Sequence, residues 1–296
     1  MSDTLIVTGA DRNFYALLTG LVDSIRDNTD GSIPIGVLDF GLEAEQRGIL
    51  ERRGLNVVTP GRDFDGREHD TWVGNTQALT VRPFLPRYFP GYEIYLWIDA
   101  DVWVQDASAI DLYLSVARAN RLAITPHIGR SYKSFKKWPR PRFNTLMFRE
   151  YRKGWGWRTA NELGKYPIAN AGVFALKADA PHWELWRRAM AGRPTRMWDQ
   201  TALNYVIHHD KAAVGLLPDW CNWIAIDAPP KVDEVNGMLV EPEPPYRPIG
   251  MIHLVGPAKS LRFQLETLKG GRMECPLTYA YWRAQRRVPA AAVVAD

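Results

Sequence analysis

The sequence is poor in cysteine. Cys221 and Cys275 are the only two in 296 residues, too few for a disulfide framework and without the paired spacing of a thiolate metal site. Long apolar runs are missing as well. No window approaches 18 uninterrupted apolar residues, so no membrane-spanning helix is expected. The amino end, Met1-Ser2-Asp3-Thr4, runs directly into the apolar Leu5–Val7 and lacks the basic and apolar regions of a secretory signal. The expected compartment is therefore the cytoplasm. Internal repeats and low-complexity tracts are also lacking, which excludes solenoid and fibrous architectures.

The sequence has the balance of a soluble globular protein, 46% hydrophobic and 24% charged, and a length suited to one large domain or two small ones. Twelve tryptophans suggest aromatic-walled clefts or a Trp-rich core. Charge is unevenly spread. Residues 130–158 hold ten Lys and Arg side chains against the single acid Glu150, a net of +9, so the rest of the chain sums to about −5. Eight aromatic residues are interleaved there. Such a patch suits anionic sugars, lipid headgroups or nucleic acid; the plain alternative is a solvated surface loop.

Hydrophobic periodicity predicts strands at 4–9, 33–40 and 55–58 and one ending at Asp99, with helices at 13–28 and 42–53 between the first three. Gly54 stops the second helix. A further helix at 110–120 and a strand at 122–125 follow. This alternation argues for an α/β protein with a mostly parallel sheet flanked by helices, in which ligands sit beyond the carboxyl ends of the strands. The second half is less regular: a strand at 170–177, helices at 180–191 and 199–208, Pro- and Trp-rich loops, a strand at 250–255 and an amphipathic helix at 276–287.

The most informative stretch is Tyr92–Asp101, an apolar, aromatic run that ends in Asp99-Ala100-Asp101. Two carboxylates at the end of a buried strand need a compensating partner. A hard divalent cation is one solution, with phosphate oxygens completing its shell. Turn and cap roles are the other. Farther on, His253 closes a strand and precedes Leu254-Val255-Gly256-Pro257-Ala258-Lys259. Gly256 allows backbone to approach an anion, Lys259 supplies a point charge, and His253 offers an imidazole ligand.

Ile98–Asp101, Asn170-Ala171-Gly172-Val173, Asp199-Gln200-Thr201-Ala202-Leu203-Asn204 and His253–Lys259 occur in this order. Together they resemble the signature of family 8-type retaining glycosyltransferases, with a GT-A fold, a DxD motif and a nucleotide-sugar donor. Ile6–Asn13 resembles that family's nucleotide-binding strand and turn, and the likeness spans roughly residues 4–260. It implies that Thr8, Gly9, Ala10, Asp11 and Asn13 bind the nucleotide, with Arg82 and Ala100 beside the donor. Asp99, Asp101 and His253 would be metal ligands, with Asp99 also meeting ribose and sugar. Gly256 and Lys259 would hold the distal phosphate. Asn170, Asp199 and Gln200 would line the donor sugar, Gln200 nearest the reacting face. Two carboxylates and an imidazole suit Mn²⁺, or Mg²⁺, with Mn²⁺ preferred because imidazole is a poor Mg²⁺ ligand.

The resemblance implies transfer of a sugar, most simply from a UDP-sugar, to a hydroxyl acceptor with anomeric retention. The catalytic domain is expected over 1–260, with a basic aromatic insertion at about 126–168 and a helical appendage over 261–296. Tyr95 and Trp97 are expected to be packing residues. His127, by position, and Asp219 and Asp227, near Trp220 and Trp223, are further candidates for the sugar or acceptor region, against purely structural roles. The 130–158 charges, with Arg283, Arg286 and Arg287 beside Tyr279, Tyr281 and Trp282, suggest an anionic saccharide or glycolipid acceptor met peripherally at the inner face of a membrane. The competing reading for the segment is a lid over the donor. Nucleic acid is not expected as a partner, since no recognised module is visible. The alternatives are a non-catalytic anion- or nucleic-acid-binding protein, or an Asp-dependent phosphohydrolase. For the latter, Trp103 stands where a Thr or Val is usual.

Overall fold

The computed structural model describes residues 3–64, 76–133, 145–193 and 198–286. The first half runs β1 (Thr4–Ala10), α1 (Tyr15–Asn28), β2 (Ile35–Asp39), α2 (Ala44–Arg52), β3 (Asn56–Val58), α3 (Leu85–Tyr88), β4 (Ile94–Ile98), β5 (Val102–Val104), α4 (Ser108–Arg118) and β6 (Leu122–Pro126). The second half adds α5 (Thr145–Leu163), β7 (Ala169–Lys177), α6 (His182–Met190), α7 (Trp198–His208), β8 (Val214–Leu216) and β9 (Trp223–Ile224). It ends with β10 (Lys231–Asp233), β11 (Met238–Val240), β12 (Met251–His253), β13 (Arg262–Glu266), β14 (Arg272–Pro276) and α8 (Tyr279–Arg286).

Seven strands form the central sheet in the order β3-β2-β1-β4-β7-β6-β8. Neighbours are parallel except at β7, which runs antiparallel to both β4 and β6. The expected mostly parallel α/β sheet is thus present, with one reversed strand. Side chains alternate across it with period two. In β4, Ile94, Leu96 and Ile98 enter one core with Leu18, Leu21 and Val22 of α1 and Ile110 and Leu114 of α4. Tyr95 and Trp97 enter the opposite core with Trp183 and Trp186 of α6 and Trp198 and Leu203 of α7. Much of the tryptophan content is therefore packing. The indole N–H groups still find acceptors, Trp186 on the Asp199 carbonyl and Trp198 on the Met190 carbonyl, both at 2.8 Å. Gly54 does end α2, in the left-handed region at φ 76°.

A smaller sheet, β5-β12-β9, extends from the end of β4. It carries a third core of Trp103, Trp223, Ile252 and Leu254. The carboxyl-terminal segment joins this core. Residues 262–276, expected to be part of a helical appendage, instead form the β13–β14 hairpin. Phe263 and Leu265 point inward while Arg262, Gln264 and Glu266 are exposed. That alternation, followed by Lys269-Gly270-Gly271, is a hairpin pattern. Trp103 donates its N–H to the Leu277 carbonyl at 2.8 Å, and Tyr279 and Trp282 of α8 pack into the same cluster. The basic insertion also departs from a simple loop. It contains α5, kinked at Gly156 (φ 84°, ψ 179°), whose Met147, Tyr151, Ala160 and Leu163 form a small core of their own. Among the described residues no helix is long and apolar enough to cross a membrane.

Because α8 shares its core with β5 and β12, Trp282→Ala is expected to destabilise the protein by about 3–5 kcal/mol within the main unfolding transition. Urea unfolding followed by circular dichroism tests this. A separate early transition would show 262–286 to be an independent appendage.

Candidate functional site

The end of β4 turns sharply. Val102 donates its N–H to the Asp99 carbonyl at 2.9 Å, closing a turn through Ala100 and Asp101 that starts β5. The Asp99 N–H reaches back to the Gly172 carbonyl on β7 at 2.8 Å. Antiparallel pairing of β5 with β12 sets His253 opposite Val102, and Leu254 donates to the Asp101 carbonyl at 2.9 Å. One turn and one strand pair thus bring Asp99, Asp101 and His253 together. Each offers a donor atom within 4.8 Å of the others.

This donor set fits a divalent cation. His253 Nδ1 lies 2.9 Å from Asn222 Oδ1, and the Asn222 amide N–H₂ donates to Asn170 Oδ1 at 3.3 Å. Asn222 therefore presents its oxygen to the imidazole, which donates from Nδ1, and Nε2 is directed at Asp101 Oδ1 at 3.4 Å. Gly172 lies directly behind. A Cβ there would come within 2.5 Å of His253 Cε1 and 2.8 Å of both Asp99 Oδ2 and Asn170 Oδ1, so any larger residue would intrude on the ligands. Asn222 was not among the sequence candidates. It lies outside the four motifs, and nothing local marks it.

Two cations flank the carboxylates. Lys259 Nζ is 2.6 Å from Asp101 Oδ2. Burial alone would raise the Asp101 pKa, but His253 and Lys259 outweigh it and hold the carboxyl well below the usual range. Arg82 forks between Asp99 and Asp199. Its burial disfavours the charge, yet Asp199 and Asp99 raise its pKa further above the ordinary arginine value. The guanidinium also lies 5.0 Å over the Trp97 ring, and Trp97 Nε1–H donates to Asp99 Oδ1 at 2.7 Å. Trp97, expected only to pack, also orients the Asp99 carboxylate, while Tyr95 does pack and donates its hydroxyl to the Phe89 carbonyl.

A cleft of about 390 Å³ opens over this cluster, lined by Gly9, Ala10, Asp11, Phe14, Phe40, Ala78, Arg82, Trp97, Asp99, Ala100, Asp101 and Lys259. Of the expected nucleotide residues, Thr8 is fully buried in β1 and Asn13 is exposed in the turn before α1; neither is in this lining. Asp11 Oδ1 accepts the N–H groups of Asn13 and Phe14 at 2.9 and 3.1 Å, which anchors the turn. Phe14 and Phe40 add aromatic walls that the sequence reading did not single out. Gly256, at φ 59°, opens the short turn Gly256–Lys259.

Asn170 of β7 stands beside Asp99 against Gly172, and Gln200 reaches β7 from α7. Gln200 Oε1 accepts the Ala171 N–H at 3.2 Å, and Asn204 bonds both the N–H and the carbonyl of Ala169 at 2.8 Å. Through these contacts α7 fixes the start of β7. Arg283, Tyr279 and Trp282 are differently disposed from expectation, and the Arg286 side chain lies outside the described residues. Arg283 is ion-paired with Asp23 and Asp27, Tyr279 donates to Asp27 and Trp282 is buried. Lys136, Lys137, Arg140, Arg142 and Arg287 lie outside the described residues. Asn222→Ala and Gly172→Ala are each expected to weaken Mn²⁺ binding by about 10–100-fold, measured by calorimetric titration. Unchanged affinity would remove that residue from the ligands' support.

No protein-family model matches the sequence, and a search of curated proteins finds no match. Solved structures do match. The galactosyltransferase LgtC, in complex with donor and acceptor sugar analogues, superposes with a TM-score of 0.53 at 20% identity, covering 86% of this chain and 88% of that one. An active-site glutamine variant of LgtC gives 0.50 at 18% identity over 86% and 88%. The apo bifunctional glycosyltransferase WbbM gives 0.53 at 18%, and there this chain accounts for 46% of the longer protein. The chain has the α/β fold of these GT-A glycosyltransferases.

Proposed function

We propose that this protein is a metal-dependent glycosyltransferase of hexosyltransferase type. It moves a sugar from a nucleotide diphosphate sugar, a UDP-sugar by preference, to a hydroxyl acceptor with retention at the anomeric carbon. The observation that carries the reading is the cluster of Asp99, Asp101 and His253, of which the two aspartates line the cleft and the histidine is buried beside them. An anion-binding surface alone does not call for a ligand triad whose imidazole is oriented by Asn222, and the glycosyltransferase structural neighbours lend the phosphohydrolase reading no weight.

In this reading Asp99, Asp101 and His253 hold Mn²⁺, or Mg²⁺, which supplies electrostatic stabilisation of phosphate charge when bound. The nucleotide lies along Gly9–Asp11 with Phe14 and Phe40 against its apolar faces. Lys259 turns from Asp101 toward the distal phosphate and meets the negative charge that grows as the sugar–phosphate bond breaks. Arg82 pairs with both Asp99 and Asp199 and fixes them in position. Asp199, Asn170 and Gln200 receive the donor sugar. No carboxylate is assigned as a covalent nucleophile, so a front-face displacement beside Gln200 accounts best for retention.

For the acceptor we propose a saccharide or glycolipid, anionic in character, met at the cytoplasmic face of a membrane. Support comes from α5, where Arg149, Arg152 and Arg158 are exposed and Trp157 is 64% exposed. Arg283 lends no support, since it is held by Asp23 and Asp27 of α1.

Thermal-shift screening tests the donor assignment. UDP-sugars with Mn²⁺ are expected to stabilise the protein, by about 2.7 kcal/mol at a hundredfold excess over Kd, and less without the metal. No stabilisation by any nucleotide sugar in the presence of Mn²⁺ would overturn the reading. Lys259→Ala is expected to lower kcat by at least about tenfold, equivalent to about 1.4 kcal/mol, with little change in KM. A change confined to KM would assign Lys259 to ground-state binding.

A further inference from the structure

One pair of titratable side chains stands beside the ligand cluster without a role in the scheme above. His127 follows β6 directly, and its backbone N–H donates to the Ile168 carbonyl just before β7 at 2.8 Å. Asp227 lies three residues beyond Ile224, the β9 residue paired with His253. The two side chains meet, with His127 Nε2 2.9 Å from Asp227 Oδ2. The imidazole is also held edge-on by Tyr132, ring centroids 4.6 Å apart. Tyr132 is fixed in turn because its hydroxyl accepts the Ile224 N–H at 3.1 Å. Three separate segments thus fix the orientation of one ring.

With Nε2–H directed at the carboxylate, the neutral tautomer leaves Nδ1 as an unprotonated acceptor. Nδ1 makes no hydrogen bond among the described residues, and the His127 side chain keeps 24% of its surface exposed. The pair is joined to the Asp99, Asp101 and His253 cluster through the β6–β7 pairing. Thr125, two residues before His127, pairs with Asn170, which is linked through Asn222 to His253. The charged and titratable groups facing the imidazole are Asp227, His253 and the Tyr132 phenol, with Asp219 and Glu241 beyond the phenol. Burial lowers the His127 pKa, opposed by Asp227 and assisted by His253. At neutral pH the ring is uncharged and ready to accept a proton.

We infer that His127 is the general base that accepts the proton of the attacking hydroxyl, with Asp227 as its positioning residue. The inference rests on the glycosyltransferase reading. The hydroxyl oxygen gives its electron pair to the anomeric carbon. The bond from that carbon to the phosphate oxygen breaks, and its pair stays on the released nucleoside diphosphate. The hydroxyl proton passes to Nδ1, and Asp227 stabilises the imidazolium through Nε2–H, the arrangement used wherever a base is oriented by a third group. The proton then leaves to water.

The test uses the UDP-sugar that gives the largest thermal shift, with Mn²⁺ and with water as acceptor, following release of UDP. His127→Ala is expected to lose about 10²–10⁴-fold in kcat while donor KM and the thermal shift by UDP and Mn²⁺ stay at wild-type values. Added imidazole is expected to restore part of the lost rate in that variant and to leave the wild type unaffected. In the wild type the rate falls as acid protonates His127. Removing the Asp227 charge lowers the His127 pKa, so Asp227→Asn moves this acid limb to lower pH. Wild-type kcat in His127→Ala overturns the assignment. A loss of turnover that imidazole does not rescue, accompanied by loss of the UDP shift, also overturns it and makes the pair a structural staple. Absence of any nucleotide-sugar shift in the wild type instead brings down the glycosyltransferase reading, and this inference with it.

Discussion

Negative charge held away from water is the constraint around which this molecule is arranged. Three carboxylates, Asp99, Asp101 and Asp199, converge at the carboxyl end of β4, and two side-chain cations, Arg82 and Lys259, answer them. Leaving such groups unpaired would cost several kcal/mol each. The three carboxylates outnumber these two cations where the cluster meets the cleft, the charge asymmetry on which the proposed cation site rests.

The surrounding structure serves to hold this cluster still. β4 is buried on both faces, so its end is fixed by two cores at once. Asp199 is anchored from both sides of its peptide: its carbonyl accepts the Trp186 indole N–H, and its carboxylate receives Arg82. His253 depends on the small β5-β12-β9 sheet, and that sheet depends on the carboxyl-terminal hairpin and helix for its apolar cover. The carboxyl-terminal residues thus help to set the position of His253 beside Asp99 and Asp101.

Much of this was legible in the sequence because it is local. The apolar run ending in Asp99 and Asp101, the strand ending in His253 and the regular alternation through residue 125 each announce themselves by period and composition. The reversed direction of β7 is not local, since a strand's direction is set by the path of the connection before it. Asn222 was invisible for a similar reason: an asparagine in an irregular Trp-rich loop acquires meaning only when pairing of β9 with β12 brings it to His253. Trp97 was read by its apolar bulk, and its N–H became informative only once Asp99 was seen beside it. The β13–β14 hairpin is different. Its alternation and glycine turn were in plain sight, obscured by the helical pattern that follows.

The reversal of β7 also shapes how the protein can change. Thr125 lies opposite Asn170 and Pro126 opposite Ala169, so the chain leaves β6 and re-enters β7 at one edge of the cleft. Everything between, residues 127–168, is a single excursion whose two feet stand on the same rim. Lengthening such a connection adds little entropic cost, about 0.6 kcal/mol for each doubling, and breaks no ladder hydrogen bond of the sheet. Length can therefore change in this connection at little cost, provided its anchors are kept: Tyr132, whose ring packs against Trp223, and Trp155 of α5, which stacks on Tyr205 of α7.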